Sequence, residues 1–66
     1  MRFKNGDVII VARNARLEGN SIRLITEKHT HEAIFVSEYK AETAFEQLLR
    51  DGWIDLEEFE ASSRII

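Results

Sequence analysis

The stretch Leu48-Leu49-Arg50-Asp51-Gly52-Trp53-Ile54-Asp55-Leu56-Glu57-Glu58-Phe59 decides how this chain is read. It carries the chemistry of a helix end, a glycine stop and the capped start of a second helix. Gly52 follows an apolar periodic run, where a left-handed residue is wanted. Asp55 suits an N-cap, because its carboxylate can accept from the free N–H groups of a first turn. Glu58 falls at N3, an aspartate form of the capping box, and Ile54 and Phe59 fall at the two staple positions. Glu57 and Glu58 put negative charge at the positive end of a helix dipole. Together these devices predict a second helix running to about Ser62. Beyond it, Ile65-Ile66 either extends that helix, the preferred reading, or pairs as a short edge strand.

Upstream, Ala41, Ala44, Phe45, Leu48 and Leu49 recur at i, i+3, i+4, i+7 and i+8, a single apolar stripe. Glu42 and Glu46 take the opposite side. Ser37 is the candidate N-cap of this first helix, with Glu38 in its first turn.

Asp51-Gly52-Trp53-Ile54-Asp55-Leu56-Glu57-Glu58 also matches the second half of an EF-hand loop. Positions 1 and 3 of such a loop need oxygen ligands, and here they fall on Gln47 and Leu49. Leucine cannot ligate calcium, so no metal is expected. The same residues resemble the short C-terminal domain known as SHOCT. Phe45, Leu48 and Leu49, then Gly52-Trp53-Ile54-Asp55, then Glu57-Glu58-Phe59-Glu60-Ala61 and Ile65-Ile66 follow that family's order and spacing over residues 43–66. Asp55 stands where the family usually has Thr, and Ser62-Ser63 where it has a lysine pair. The resemblance implies a small helical hairpin with a role in oligomerisation or association. By analogy it suggests an accessory protein of a bacterium or phage.

The first half reads as β-structure. Asn5-Gly6 is a tight-turn signal that either folds Arg2–Lys4 back on Asp7–Ile10 or leads into a strand. Val8-Ile9-Ile10-Val11 is β-branched and continuous, as in a strand buried on both faces. The strand can run on to Leu17, with a bulge near Arg13-Asn14 keeping Arg13 off the apolar face. Gly19-Asn20 suits a two-residue II′ hairpin turn into Ser21–Thr26. That turn pairs Leu17 with Ile22 and Ala15 with Leu24 on one face, and Arg16 with Arg23 on the other. Lys28–His31 reads as a polar turn, and Glu32–Val36 as a third strand.

The fold expected is therefore α+β: a three-stranded antiparallel β-meander over residues 1–37, then two short C-terminal helices forming a helical hairpin over 38–66. The first helix covers the sheet, and residues 1–66 make one small domain. At 66 residues the core is marginal by itself. The chain has no cysteine, so no disulfide framework and no thiolate metal site. No apolar run is long enough to span a bilayer, and no signal peptide is read, so the expected location is the cytoplasm.

The net charge of −3 conceals an asymmetry. Residues 1–31 hold six cations against three carboxylates, giving +3, and residues 32–66 hold three against nine, giving −6. Such halves attract, within one molecule or between copies. His29-x-His31 is the only imidazole pair and lacks the four-ligand spacing of a structural zinc site, so both read as solvated turn histidines. No nucleophile–base constellation and no phosphate loop is present, so an enzyme is not expected, nor is a cofactor. What remains is a non-enzymatic association module, self-associating or binding a protein. Its expected contact residues are Trp53, Ile65 and Ile66, since tryptophan is enriched at interface hot spots and a terminal isoleucine pair makes a sticky patch. The alternative is nucleic-acid binding through Arg16 and Arg23 on the outer sheet face.

Overall fold

Asn5-Gly6 closes a hairpin between β1 (Arg2–Asn5) and β2 (Val8–Val11). Gly6 takes φ 63, as the first central residue of a primed hairpin turn requires. The register pairs Phe3 with Ile10 and Lys4 with Ile9. The chain then turns a corner at Ala12-Arg13. The Ala12 N–H donates to the Met1 carbonyl at 2.7 Å, and the Arg13 N–H donates to the Ile25 carbonyl at 2.7 Å. One residue thus belongs to the first sheet and the next to the second, which takes the place of the expected bulge. The computed structural model describes residues 1–66.

Beyond the corner run β3 (Asn14–Glu18), β4 (Ser21–Ile25) and β5 (Thr30–Ile34). Gly19, at φ 61, starts the β3–β4 turn, and the pairs are Leu17 with Ile22, Ala15 with Leu24 and Arg16 with Arg23. The third strand lies two residues earlier than expected, because a Thr26–His29 turn closes sooner. The Thr26 N–H donates to the His29 carbonyl at 2.8 Å, and the Thr26 hydroxyl accepts from the His29 N–H at 2.9 Å. His31 consequently sits in β5, not in a turn. It is buried, edge-on to Phe3 with ring centres 5.8 Å apart.

Helix α1 spans Glu38–Asp51. The Ser37 hydroxyl accepts from the Lys40 N–H at 3.1 Å, and Gly52 ends the helix at φ 80, donating to the Leu48 carbonyl at 2.9 Å. Ala41, Ala44 and Leu48 are buried and Phe45 is half-buried. Leu49, the outer margin of the stripe, stays 64% exposed. The helix packs against β3, β4 and the strand immediately after it.

That strand overturns the expected fold. The protein has seven strands in two sheets and one helix, rather than a three-stranded meander followed by two helices. Residues Trp53–Asp55 form β6, parallel to β1, with Phe3 beside Ile54. The Asp55 carboxylate does accept from the Glu57 N–H at 3.0 Å, so the cap is real. The element it caps is a single turn. Glu60 adopts φ 55, and the Ala61 N–H donates to the Leu56 carbonyl at 2.9 Å, the six-to-one bond of a helix stop. Residues Ser62–Ile65 then form β7 on the edge of the second sheet, with Ser63 opposite Ala33 and Ile65 opposite His31. Residues 38–66 are therefore helix, strand, turn and strand, not a helical hairpin.

The physical reason lies in what Ile54 and Leu56 bury. Both are fully buried, with Phe3, Ile22, Leu24, Phe35 and Leu48. A strand at 53–55 gives Ile54 the partner Phe3 and uses backbone groups of β1 that would otherwise lack partners. The Arg2 N–H donates to the Gly52 carbonyl and the Leu56 N–H donates to the Lys4 carbonyl, both at 2.9 Å. Phe59, the other staple residue, meets Phe35 edge-on at 6.1 Å. The two sheets run in the orders β2-β1-β6 and β3-β4-β5-β7.

Candidate association surface

Alternation along the first sheet sends Phe3, Ile10 and Ile54 inward. The outer face therefore carries Arg2 and Lys4 on the central strand, Ile9 and Val11 on one side, and Trp53 and Asp55 on the other. Across it, Arg2 lies between Val11 and Trp53, and Lys4 lies between Ile9 and Asp55. Arg2, Phe3, Lys4, Ile9 and Trp53 line one shallow depression. Ile9 and Val11 are each 64% exposed and Trp53 is 42% exposed. This corrects the expectation that Val8–Val11 is buried on both faces: β2 has a single strand neighbour and ends its sheet.

β2 is the end strand of its sheet. Sheet edges are normally blunted by lysine, proline, a bulge or a covering element. Val8-Ile9-Ile10-Val11 has no lysine, proline or bulge, its three exposed residues are all aliphatic, and the Thr26–His29 turn lines a cleft with Ile9, Ile10 and Val11 beside it. The other margins of the second sheet are more polar: β3 presents Asn14, Arg16 and Glu18, and β7 presents Ser62 and Arg64 along with Ile65.

The residues expected from sequence to meet a partner do not share a face. Trp53 is on the outer face of the first sheet, and its carbonyl accepts from the Gln47 side chain at 3.4 Å. Ile65 and Ile66 lie at the β7 edge of the second sheet, where the Ile66 N–H donates to the Thr30 carbonyl at 2.9 Å. Reasoning from sequence missed Ile9 and Val11. The signal was present: once Asn5-Gly6 closes a hairpin, alternation sends Ile9 and Val11 to the face of Arg2 and Lys4.

Arg16 and Arg23 do stand side by side on the outer face of the second sheet. The cross-strand row continues through Glu32 to Arg64. Glu32 is nearly buried between cations, 2.9 Å from Arg64 and 3.9 Å from Arg23, and Arg23 also meets Glu18 at 3.0 Å. Along the row the signs run positive, positive, negative, positive, and Arg23 is already engaged.

The charge asymmetry is scarcely used inside the chain. Of the five ion pairs, only Arg23–Glu32, the longest, joins the basic half to the acidic half. Lys40 holds Glu60 at 2.7 Å, and its hydrogen bond, aided by its charge, pulls the Glu60 carboxyl below the ordinary range. Arg50 does the same to Asp51. No three His, Asp or Glu side chains come together as a metal site, and no helix is long and apolar enough to cross a membrane. No family model, curated protein or solved structure matches the chain.

Proposed function

We propose that this protein is a small non-enzymatic association module, self-associating or binding a protein partner, and that it works in the cytoplasm. The observation that carries the reading is the open β2 edge, with Ile9 and Val11 exposed beside Arg2, Lys4 and the half-exposed Trp53. An apolar edge strand next to an exposed tryptophan offers backbone hydrogen bonds for affinity and a side-chain anchor for specificity. The SHOCT-like sequence of residues 43–66 points to association as well, although its helical-hairpin geometry is absent. Arg16 and Arg23 support a nucleic-acid interface less well, because Glu18 and Glu32 already hold Arg23.

The test is light scattering and affinity capture with the intact chain and the variants Ile9→Lys and Trp53→Ala. The expected outcome is a species heavier than the 7.7 kDa chain, alone or with a captured protein, that both variants weaken. A chain that stays monomeric and captures the same proteins with or without these changes overturns the reading. Fluorescence anisotropy at low salt is expected to show no salt-dependent binding of DNA or RNA.

A further inference from the structure

We infer that the partner is an acidic segment of another protein that also carries apolar side chains, laid in extended form across the first sheet from Trp53 to Lys28. The inference rests on the proposed association role and names its occupant. The nine lysines and arginines of the chain fall into two groups. Arg23, Lys40, Arg50 and Arg64 each hold a carboxylate within 3.1 Å. Arg2, Lys4, Arg13, Arg16 and Lys28 hold none, and all are exposed. Four of those five line two adjoining hollows. The depression on the outer face of the first sheet carries Arg2 and Lys4 between Trp53 and Ile9. The cleft beside β2 carries Arg13, from the corner between the sheets, and Lys28, from the Thr26–His29 turn. Ile9 belongs to both, so the two form one trough. Glu27 is the only carboxylate that lines it.

That segregation selects an anionic ligand. Unpaired cations gathered along one trough sum to a positive field, which draws an anion and is relieved by it. The apolar side chains decide between the two anionic polymers. Single-stranded nucleic acid needs successive aromatic faces on which its bases stack. The trough offers one such face, Trp53, and its other exposed apolar residues are the aliphatic Ile9 and Val11. These suit the apolar side chains of a peptide. Across the sheet the columns alternate: Trp53, then Arg2 and Lys4, then Ile9 and Val11, with Arg13 and Lys28 beyond. A segment mixing apolar and acidic residues matches that order. The path covers about three strand spacings, or about 14 Å, which about four or five extended residues span. Asp55 stands beside Lys4 on this face, and its carboxylate is already held by the Glu57 N–H at 3.0 Å. The trough is shallow and its cations are exposed, so binding is weak and salt-sensitive.

Trp53 is the only tryptophan, so its fluorescence reports binding to the intact chain directly. The probe is a synthetic peptide of about eight residues, long enough to cross the trough. Leucine pairs alternate with glutamate pairs in it, so that each face of the extended peptide shows both. Its comparators have glutamine for glutamate or serine for leucine, and a thymidine oligonucleotide of equal charge completes the set. The acidic peptide is expected to change Trp53 emission with a micromolar to millimolar midpoint that rises severalfold between about 0.05 M and about 0.5 M salt. The glutamine and serine versions bind at least about tenfold more weakly, and the oligonucleotide does not bind. Lys4→Glu and Lys28→Glu each weaken binding about three- to tenfold. Arg16→Glu makes the same change in net charge outside the trough and alters binding less than about twofold. Circular dichroism confirms that each variant is folded. No binding of the acidic peptide, equal binding of the serine version, or an equal loss with Arg16→Glu each overturn the inference. Tighter binding of the oligonucleotide also overturns it, with nucleic acid as the occupant. If the acidic peptide fails while Ile9→Lys and Trp53→Ala still weaken association in light scattering or capture, this occupant falls and the association role stands. If the peptide fails and those variants change nothing, both readings fall.

Discussion

The β3–β4 hairpin and the segment from Trp53 to Ile65 carry local signals of similar quality, yet only the first folds as those signals say. Gly19-Asn20 sets a turn whose two strands are its immediate neighbours in sequence. The register is then fixed by chain connectivity, and Leu17 meets Ile22. The devices at Gly52, Asp55 and Glu58 are equally specific, and the glycine stop and the aspartate cap both form. The cap does not set the length of the element beyond it. Each added helical residue competes with the alternative burial of Ile54, Leu56 and Ala61, and the partners in that competition are β1 and β5, far away in sequence. A local signal fixes local geometry; it fixes the element only where the partners are also local.

The largest expected effect separates the two regions by burial. Ile54→Ala removes a fully buried side chain that joins β6 to Phe3, and should cost about 3 kcal/mol. Leu17→Ala, at a half-buried hairpin position, should cost about 1 kcal/mol. In a domain this small the first change leaves much of the chain unfolded, and thermal melts followed by circular dichroism distinguish the two. If Leu17→Ala is the more damaging, the non-local account of the C-terminal segment is wrong.

A smaller effect should be shared. Gly19→Ala and Gly52→Ala both force a side chain into positive φ, at 61 and 80, and neither added Cβ clashes. Each should cost about 1 kcal/mol in urea unfolding, because backbone conformation is a local property whatever the element beyond it. Unequal costs would show that one of the two turns is set by its surroundings.

The smallest effect sharpens the account of the aborted helix. Glu60 holds its left-handed turn while paired to Lys40, and its carboxyl titrates below the usual range. A carboxyl depressed in the folded state lends stability that is present above its unfolded pKa and lost as pH falls through the folded one. The wild type should therefore lose slightly more stability than Lys40→Met between about pH 7 and about pH 3. Equal losses would show that the exposed pair contributes nothing.

Several features are legible in the residues. The α1 stripe and both its caps, the Gly19-Asn20 turn, the Arg16–Arg23 opposition and the Asn5-Gly6 turn all depend on neighbours within a few positions. The candidate surface is only partly legible. Trp53 stands out in the sequence as a candidate contact residue, but Ile9 and Val11 read as buried, because a short β-branched run looks the same in a central strand and on an open edge. For Ile65-Ile66 the sequence offers a helix first and an edge strand second, and β7, which runs to Ile65, is the second.

By itself, then, the sequence determined the positions where the chain stops, turns and caps, since these depend on φ, on hydrogen bonds within a turn and on dipoles. Tertiary structure alone decided what lay between them. It drew Trp53–Asp55 in beside β1, ended the second helix after one turn, sent Ser62–Ile65 to the edge of β5 and left β2 as the end strand of its sheet. The physical reason is that strand pairing and core burial are settled between residues distant in sequence, and no local pattern records which of them will meet.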